Sequence, residues 1–278
     1  PISKELDPNE TGLIGEEFTD LTTTVGYIDA KRTATNPDFA ALLVKYFKEA
    51  DLEKGDYIAI GASGSFPSLI LATLCACRVL ELNPIIIYSV GSSMYGANIE
   101  GFTFVEMLNH LNKGRILPYT ITGISMGGES DLAKGFFSNN YMLMMDIMEK
   151  SKAEIIHEGI LSKSISKRMD VYERESNENP IACFVNIGGA SANYGDTLLS
   201  LNIAPGLIKN FTLKSDDSKK GLIFEYGEQG IPVIHLLNVK AIAAGSGLAL
   251  DPVPLPQPGM SDVYYEVKHE KPLVLCVL

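Results

Sequence analysis

The sequence is poor in cysteine, lacks tryptophan and contains no long uninterrupted hydrophobic run. Four cysteines among 278 residues are too few for a disulfide scaffold. No window of about 20 consecutive apolar residues occurs, so no segment of this sequence is expected to span a bilayer, and no signal peptide is recognisable. These absences exclude the disulfide-rich and the multispanning membrane classes of protein.

Basic charge is also scarce. The chain has 23 Lys and Arg against 34 Asp and Glu, a net charge of −11. Nothing in it resembles the basic stripe that contacts a phosphate backbone, so we predict no nucleic-acid partner. The acid excess also disfavours docking on anionic membranes. With 46% apolar and 21% charged residues, the composition is that of a globular domain.

Common metal and nucleotide motifs are missing as well. The sequence has no H-E-x-x-H, no paired CxxC and no D-x-D-x-D-G, which are typical of metal sites. It also lacks the dinucleotide fingerprint G-x-G-x-x-G and the Walker loop G-x-x-x-x-G-K-[ST]. We therefore predict no bound metal and no cofactor.

Short apolar runs alternate with helical periodicity along the chain, which is typical of a parallel sheet covered by helices. The patterns predict helices over 37–50, 67–82, 102–113, 132–150, 160–176 and 218–229, and strands over 57–60, 84–90, 117–122, 181–187 and 232–237. Because no internal repeat or strong boundary is visible, we predict one doubly wound, mostly parallel three-layer α/β domain over 1–278. It includes a Thr-rich N-terminal segment over 1–36 and, over 251–278, a Pro-rich rim with a C-terminal extended segment.

Four Gly/Ser loops follow predicted strands, at 61–65, 91–93, 123–128 and 188–191. Open α/β sheets bind ligands at the carboxyl ends of their strands, where glycine lets the backbone approach closely. A strand-to-helix turn needs Gly and Ser for folding alone, but four such loops together predict a shared polar pocket. The candidate ligand-binding residues in them are Gly64, Ser65, Gly91, Ser92, Ser93, Gly127, Gly128, Gly188, Gly189 and Ser191.

Two serines are candidate nucleophiles. Ser125 lies in a G-x-S-x-G match, but a nucleophile elbow should pass straight into a helix and further loop residues intervene here. Ser63 has the better strand–turn–helix context, with a serine in place of the last glycine. His235, at the end of a predicted strand, is the best candidate base among four histidines. Asp131 is a candidate to orient that base, bind a cation or cap a helix, and each serine also suits a capping or ligand-donor role.

Lys31 and Arg32 form a cationic pair in a Thr-rich stretch of this acidic chain. Two adjacent cations can bind a carboxylate or a phosphate. The alternative is an ordinary solvated pair. Both interpretations stay open at the level of sequence.

Three segments resemble the poly-gamma-glutamate system protein, an accessory component encoded with bacterial poly-γ-glutamate synthesis and export machinery. They are TTTVGYIDAKRTATNPDFAALLVKYFKEA, KGDYIAIGASGSFPSLILATL, and IIIYSVGSSMYGAN followed by FTFVEML. GGESDLAKG and FVNIGGASANYGD fit too, so the resemblance covers roughly residues 12–250. It carries no catalytic assignment.

The resemblance implies partners, a location and further site residues. Partners would be poly-γ-glutamate or its short segments, together with other synthesis and export proteins. Members of the family typically carry an N-terminal membrane anchor, which implies an extracytoplasmic, membrane-anchored full-length protein, although a cytoplasmic location stays open. The family's motif positions add Asn98, Asn186 and Asn193 to the candidate ligand-binding residues.

Three functions follow as hypotheses. The first is a serine-dependent γ-glutamyl hydrolase or transferase that uses Ser63 or Ser125 with His235. The second is a non-catalytic binding or assembly factor that holds glutamyl carboxylates at helix N-termini and at Lys31 and Arg32. The third is a sugar-phosphate-binding, isomerase-like domain, suggested by the loops after the first two predicted strands. Because a charge of −11 repels a polyanion at long range, we expect binding to a chain end or a short segment.

Overall fold

A seven-stranded, mostly parallel sheet forms the centre of the computed structural model, which describes residues 3–134 and 140–265. The strands are β1 Thr22–Thr24, β2 Tyr57–Ser63, β3 Asn83–Ser89, β4 Ser92–Ser93, β5 Gly123–Ser125, β6 Glu154–Ile155, β7 Ile181–Ile187, β8 Gly206–Ile208 and β9 Val233–Leu236. Their order in the large sheet is β6-β5-β3-β2-β7-β9-β8, with β8 antiparallel to β9 and the other pairs parallel. β1 and β4 pair separately, in parallel.

Helices cover both faces of this sheet. They are α1 Ile28–Ala34, α2 Phe39–Glu49, α3 Pro67–Leu80, α4 Phe104–Lys113, α5 Asn140–Ser151, α6 Leu161–Glu175, α7 Ser191–Tyr194, α8 Leu222–Glu228 and α9 Val239–Gly245, with 3-10 turns at Leu198–Asn202 and Asp262–Tyr264. This arrangement confirms the predicted α/β three-layer class. Among the helices described, none is long and apolar enough to cross a membrane.

Alternation along the central strands produces two separate cores. Ile58 and Ile60 of β2 pack with α2, α3, α4 and α9 on one face, whereas Ala59 packs with α6 and α8 on the other. Successive side chains of a strand point to opposite faces, so a strand buried on both sides is apolar at nearly every position. The uninterrupted apolar runs from which these strands were predicted therefore reflect burial of both faces of the sheet.

Several boundaries differ from the predictions. The strand predicted over 57–60 continues to Ser63. The prediction of a strand over 117–122 is wrong, because the strand that pairs with β3 begins at Gly123. A Cβ on Gly123 would lie 3.2 Å from side-chain atoms of both Ile87 and Ile156, so the residue is closely packed in the strand although its glycine indicates a loop in the sequence. The short strands β1, β4, β6 and β8 were not predicted. Residues 135–139 and 266–278, including most of the predicted C-terminal extended segment, lie outside the described residues.

Candidate functional site

A cavity of about 780 Å³ opens at the carboxyl ends of the parallel strands. Its walls come from the loops after β2, β3, β5, β7 and β9, and from the segment that joins β1 to α1. Parallel strands in register bring these loops to one edge, where open α/β sheets bind ligands. The candidate residues that line the cavity are Lys31, Ser63, Ser65, Gly91, Ser93, Gly128, Gly189 and Ser191.

Lys31 is the charged group that α1 delivers into this cavity. Its side chain is buried, and its Nζ donates to the Ser65 carbonyl and, over 2.6 Å, to Ser93 Oγ. The ammonium also lies 3.9 Å from the centre of the Phe66 ring, a cation–π contact. In the described part of the chain no carboxylate forms an ion pair with Lys31. Burial therefore lowers the pKa of Lys31 from 10.5 to about 7.

Three serine hydroxyls in the cavity are held as hydrogen-bond acceptors by protein donors. Ser93 Oγ accepts from Lys31, Ser65 Oγ accepts from the Ser93 amide at 3.1 Å, and Ser63 Oγ accepts weakly from the Ser65 amide at 3.4 Å. A hydroxyl that already accepts keeps its own proton to donate. The three hydroxyls can therefore donate to an oxygen-rich ligand.

Ser125 lies outside this cavity, in a buried network. As the last residue of β5 it contacts Asp131 Oδ1 at 2.7 Å, Arg168 Nη2 at 2.6 Å and Ser89 Oγ at 3.0 Å. Asp131 pairs with Arg168 at 2.8 Å and also accepts from Ser164. The structure therefore gives Ser125 and Asp131 a role in joining β3, β5 and α6. The elbow that the G-x-S-x-G match required is not formed, because Ser125 belongs to the strand itself.

Arg168 belongs to this network and was not predicted from the sequence. It lies on α6 with Leu161, Ile165 and Tyr172, a spacing that places all four on the buried face of the helix. A lone arginine within an apolar helical stripe needs a buried partner, because an unpaired buried charge is costly. That pattern could have predicted from the sequence that Arg168 has a buried acidic partner, which the structure shows to be Asp131.

His235 is buried at the end of β9 and does not line the cavity. Its ring stacks on Tyr194, with centroids 5.4 Å apart, and its Nδ1 lies 2.9 Å from Asn186 Nδ2. The same Asn186 nitrogen donates to the Gly188 carbonyl, which fixes the amide orientation and makes His235 Nδ1 an acceptor. Within the described residues no serine hydroxyl hydrogen-bonds to this imidazole. The structure thus does not assemble Ser63 or Ser125 with His235.

The pH dependence of stability should report the burial of His235. Burial lowers the pKa of His235 from 6.5 to about 4. Between these values the unfolded chain holds a proton that the folded chain does not, so stability is present above pH 6.5 and falls as pH is lowered. We expect His235 to contribute a loss of about 1.4 kcal/mol per pH unit across this window. Urea unfolding of His235→Asn should lack that contribution, whereas exposed His110→Asn should keep it. Equal slopes in both variants would contradict the assignment.

Arg32 points away from the cavity. Its guanidinium forms two hydrogen bonds of 2.6 Å with the carboxylate of Asp251, and this pairing raises its pKa. The Asp251 amide in turn donates to Thr33, so the pair ties α1 to the Pro-rich rim. Of the two adjacent cations, Lys31 alone faces the candidate site.

Asn98 and the remaining candidates support the loops from outside the cavity. Asn98 is buried and bonds both backbone groups of Glu16 and the hydroxyl of Thr22, which fixes the N-terminal segment against the chain after β4. Asn193 lies beneath β2. The others, Gly64, Ser92, Gly127, Gly188 and Asn186, form the turns and their internal hydrogen bonds.

Comparisons with known proteins add little to this geometry. No protein-family model and no curated protein matches the chain. A solved structure, the multiple substrate aminotransferase from Thermococcus profundus, matches 54% of this chain and 37% of its own at 11% identity and a TM-score of 0.17. A match this weak carries no argument about fold or function. The resemblance to the poly-gamma-glutamate system protein therefore stays a prediction.

Proposed function

We propose that this chain is an accessory component of poly-γ-glutamate synthesis or export that binds an end or short segment of the polymer in the cavity at Lys31. The observation that carries the proposal is a buried lysine that faces the cavity and has no carboxylate partner among residues 3–134 and 140–265. The serine hydroxyls of Ser63, Ser65 and Ser93 add neutral donors around it. The resemblance supports the choice of polymer, and the donor set supports a carboxylate as the recognised group.

The charges at the cavity favour a short segment over a long one. Glu129 and Asp196 line it and are exposed, while the Lys240 ammonium is paired with Asp29 at 2.7 Å. These carboxylates and the net charge of −11 repel a polyanion that passes over the mouth of the cavity. A single glutamyl carboxylate that reaches Lys31 meets a cation that is removed from water, and Coulomb attraction between two charges is strongest in such an environment.

Binding of short γ-glutamate oligomers should depend on Lys31 and on pH. We expect Lys31→Met to weaken binding about 10- to 100-fold in calorimetry, because a charged hydrogen bond is lost. Since the pKa of Lys31 is about 7, wild-type affinity should fall as pH rises above 7. Lys45→Met on α2 removes an exposed cation paired with Glu49 and should change neither result. Undetectable binding, or binding indifferent to Lys31 and pH, would remove the proposal.

A second candidate function is sugar-phosphate binding. The loops after β2 and β3, with Ser65 and Ser93, face the same cavity, and a phosphate accepts the same donors as a carboxylate. A thermal-shift comparison separates the two, because a ligand stabilises the folded state that binds it. Stabilisation by sugar phosphates but not by γ-glutamate oligomers would favour this candidate.

A further inference from the structure

A serine and a lysine are in hydrogen-bond contact inside the cavity. Ser93 Oγ lies 2.6 Å from Lys31 Nζ, and both side chains are buried yet border the cavity. Nucleophilic catalysis requires such a pair, a hydroxyl within reach of a group that can take its proton. The binding role proposed above uses Lys31 only as a charge.

Several elements hold the pair in position. Lys31 comes from α1 and is fixed by the Ser65 carbonyl and the face of Phe66. Ser93 is the last residue of β4, which pairs with β1, and its backbone amide donates to Ser65 Oγ. Neither side chain depends on a single flexible contact. Such preorganisation is what a nucleophile and its base need.

We propose that Ser93 is the nucleophile of an acyl-transfer reaction, with Lys31 as its general base and the hydroxyls of Ser65 and Ser63 as donors to the oxyanion. The substrate class is an amide or ester of a γ-glutamyl group. The choice of the γ-glutamyl group rests on the proposed function, whereas the Ser93–Lys31 chemistry does not. Water or an amine accepts the acyl group at the end.

The proposed reaction balances in two halves. Neutral Lys31 takes the proton of Ser93 Oγ as that oxygen bonds to the substrate carbonyl carbon, and the carbonyl electron pair moves to its oxygen. The tetrahedral intermediate collapses with loss of the amine or alcohol, which receives the proton from Lys31. Water then attacks the Ser93 ester with Lys31 again as base, which releases the carboxylic acid and restores the serine. An amine in place of water gives transfer.

The protonation state of Lys31 sets the pH dependence. Charged Lys31 donates to both Ser65 and Ser93, whereas neutral Lys31 can donate one N–H to the Ser65 carbonyl and turn its lone pair to the Ser93 hydroxyl, whose proton it then accepts across the 2.6 Å contact. Because its pKa is about 7, the active neutral fraction grows as pH rises and levels off above that value. The other titratable side chains that face the cavity are Tyr27, Glu129, Tyr194, Asp196 and Lys240.

Among the described residues, neither alternative serine combines a place in the cavity with a base in hydrogen-bond contact. Ser125 is bonded to Asp131 and Arg168 in the buried network, away from the cavity. Ser63 lines the cavity, but within the described residues its hydroxyl accepts from the Ser65 amide and has no amine or imidazole in contact. Ser93 is therefore the cavity serine with an amine in direct contact.

Covalent labelling tests the assignment. The chain is treated with a fluorophosphonate probe and, separately, with the p-nitrophenyl ester of a γ-glutamyl group, and adducts are located by intact mass and peptide mapping. We expect one adduct at Ser93 and none in Ser93→Ala. In Lys31→Arg the rate of labelling should fall by a factor of about 100 or more, because arginine keeps the charge but cannot act as a base. The wild-type rate should rise with pH and level off above about 7. Ser166→Ala, on the exposed side of α6, is the control.

The outcomes separate this inference from the proposed function. An adduct on Ser63, or no adduct and no ester hydrolysis between pH 6 and pH 9, overturns the Ser93–Lys31 assignment. Calorimetry of γ-glutamate oligomers with the wild-type chain tests binding by itself, so binding without labelling leaves the proposed function standing. Ser93→Cys keeps a nucleophile at this position and should be acylated by the same ester. If Ser93→Ala melts far below the wild type, labelling of Ser93→Cys decides the matter.

Discussion

Asp131→Asn is expected to lower the free energy of unfolding by about 3–5 kcal/mol, because it leaves the guanidinium of Arg168 buried without a counter-charge. Arg168 is fully buried and lies 2.8 Å from Asp131 Oδ2. Asparagine keeps the shape of the side chain and tolerates the left-handed backbone of residue 131, whose φ is +64°. The substitution therefore keeps the backbone and the volume of the side chain, removes the charge, and replaces one of two accepting oxygens with an NH2 group that faces other donors. Urea unfolding at neutral pH measures the change.

The matched controls distinguish this pair from an ordinary ion pair. Lys54→Ala breaks an exposed pair with Glu81 and should change stability by no more than about 0.5 kcal/mol. Arg168→Met removes the cation, and in the double variant with Asp131→Asn the losses should be less than additive by about 1.5 kcal/mol or more. Full additivity would show that the two side chains do not act as a pair.

Gly61→Ala is expected to cost about 3 kcal/mol, although alanine normally stabilises a strand relative to glycine. A Cβ at residue 61 would lie 2.5–2.7 Å from the amide atoms of Asn193, which is buried beneath β2. The strand is central, between β3 and β7, so the backbone cannot move aside. Thermal or urea unfolding measures the loss.

Shortening the opposing side chain should reverse this effect. Asn193→Ala removes the atoms that a Cβ on residue 61 would meet, and its own side-chain nitrogen and oxygen have no hydrogen-bond partner in the described chain. We expect Gly61→Ala to be tolerated in the Asn193→Ala background, with a coupling of about 2 kcal/mol. A penalty of the same size in both backgrounds would place the strain elsewhere.

Local signals predicted the position of the cavity correctly. The apolar runs of β2, β3 and β7, each followed by a Gly/Ser loop, predicted a parallel sheet with a polar pocket at its carboxyl edge. Ser65, Ser93 and Lys31, named from the sequence, do line that cavity. The position of strand β5 is predicted wrongly because Gly123, which is packed closely between Ile87 and Ile156, indicates a loop in a single sequence.

Pairings between distant residues could not be predicted in the same way. Lys31 and Arg32 are adjacent in the chain, yet the turn of α1 sends one into the cavity and the other to Asp251, 219 residues away. Likewise, the sequence motif around Ser125 suggests a nucleophile, but in the folded chain Arg168 of α6 forms a hydrogen bond with its hydroxyl. A motif shows which chemistry a side chain carries, but not which partner uses it.

The sequence by itself determined the class of the fold, the edge of the sheet where polar loops collect and the scarcity of positive charge that makes a buried lysine informative. Hydrophobic periodicity and glycine placement are local properties, so they can be read along the chain. Only the tertiary structure decided that Lys31 contacts Ser93, 62 residues away, while His235 and Ser125 are held by other partners. The reason is that packing, and not sequence distance, sets which donor meets which acceptor and how far each is removed from water.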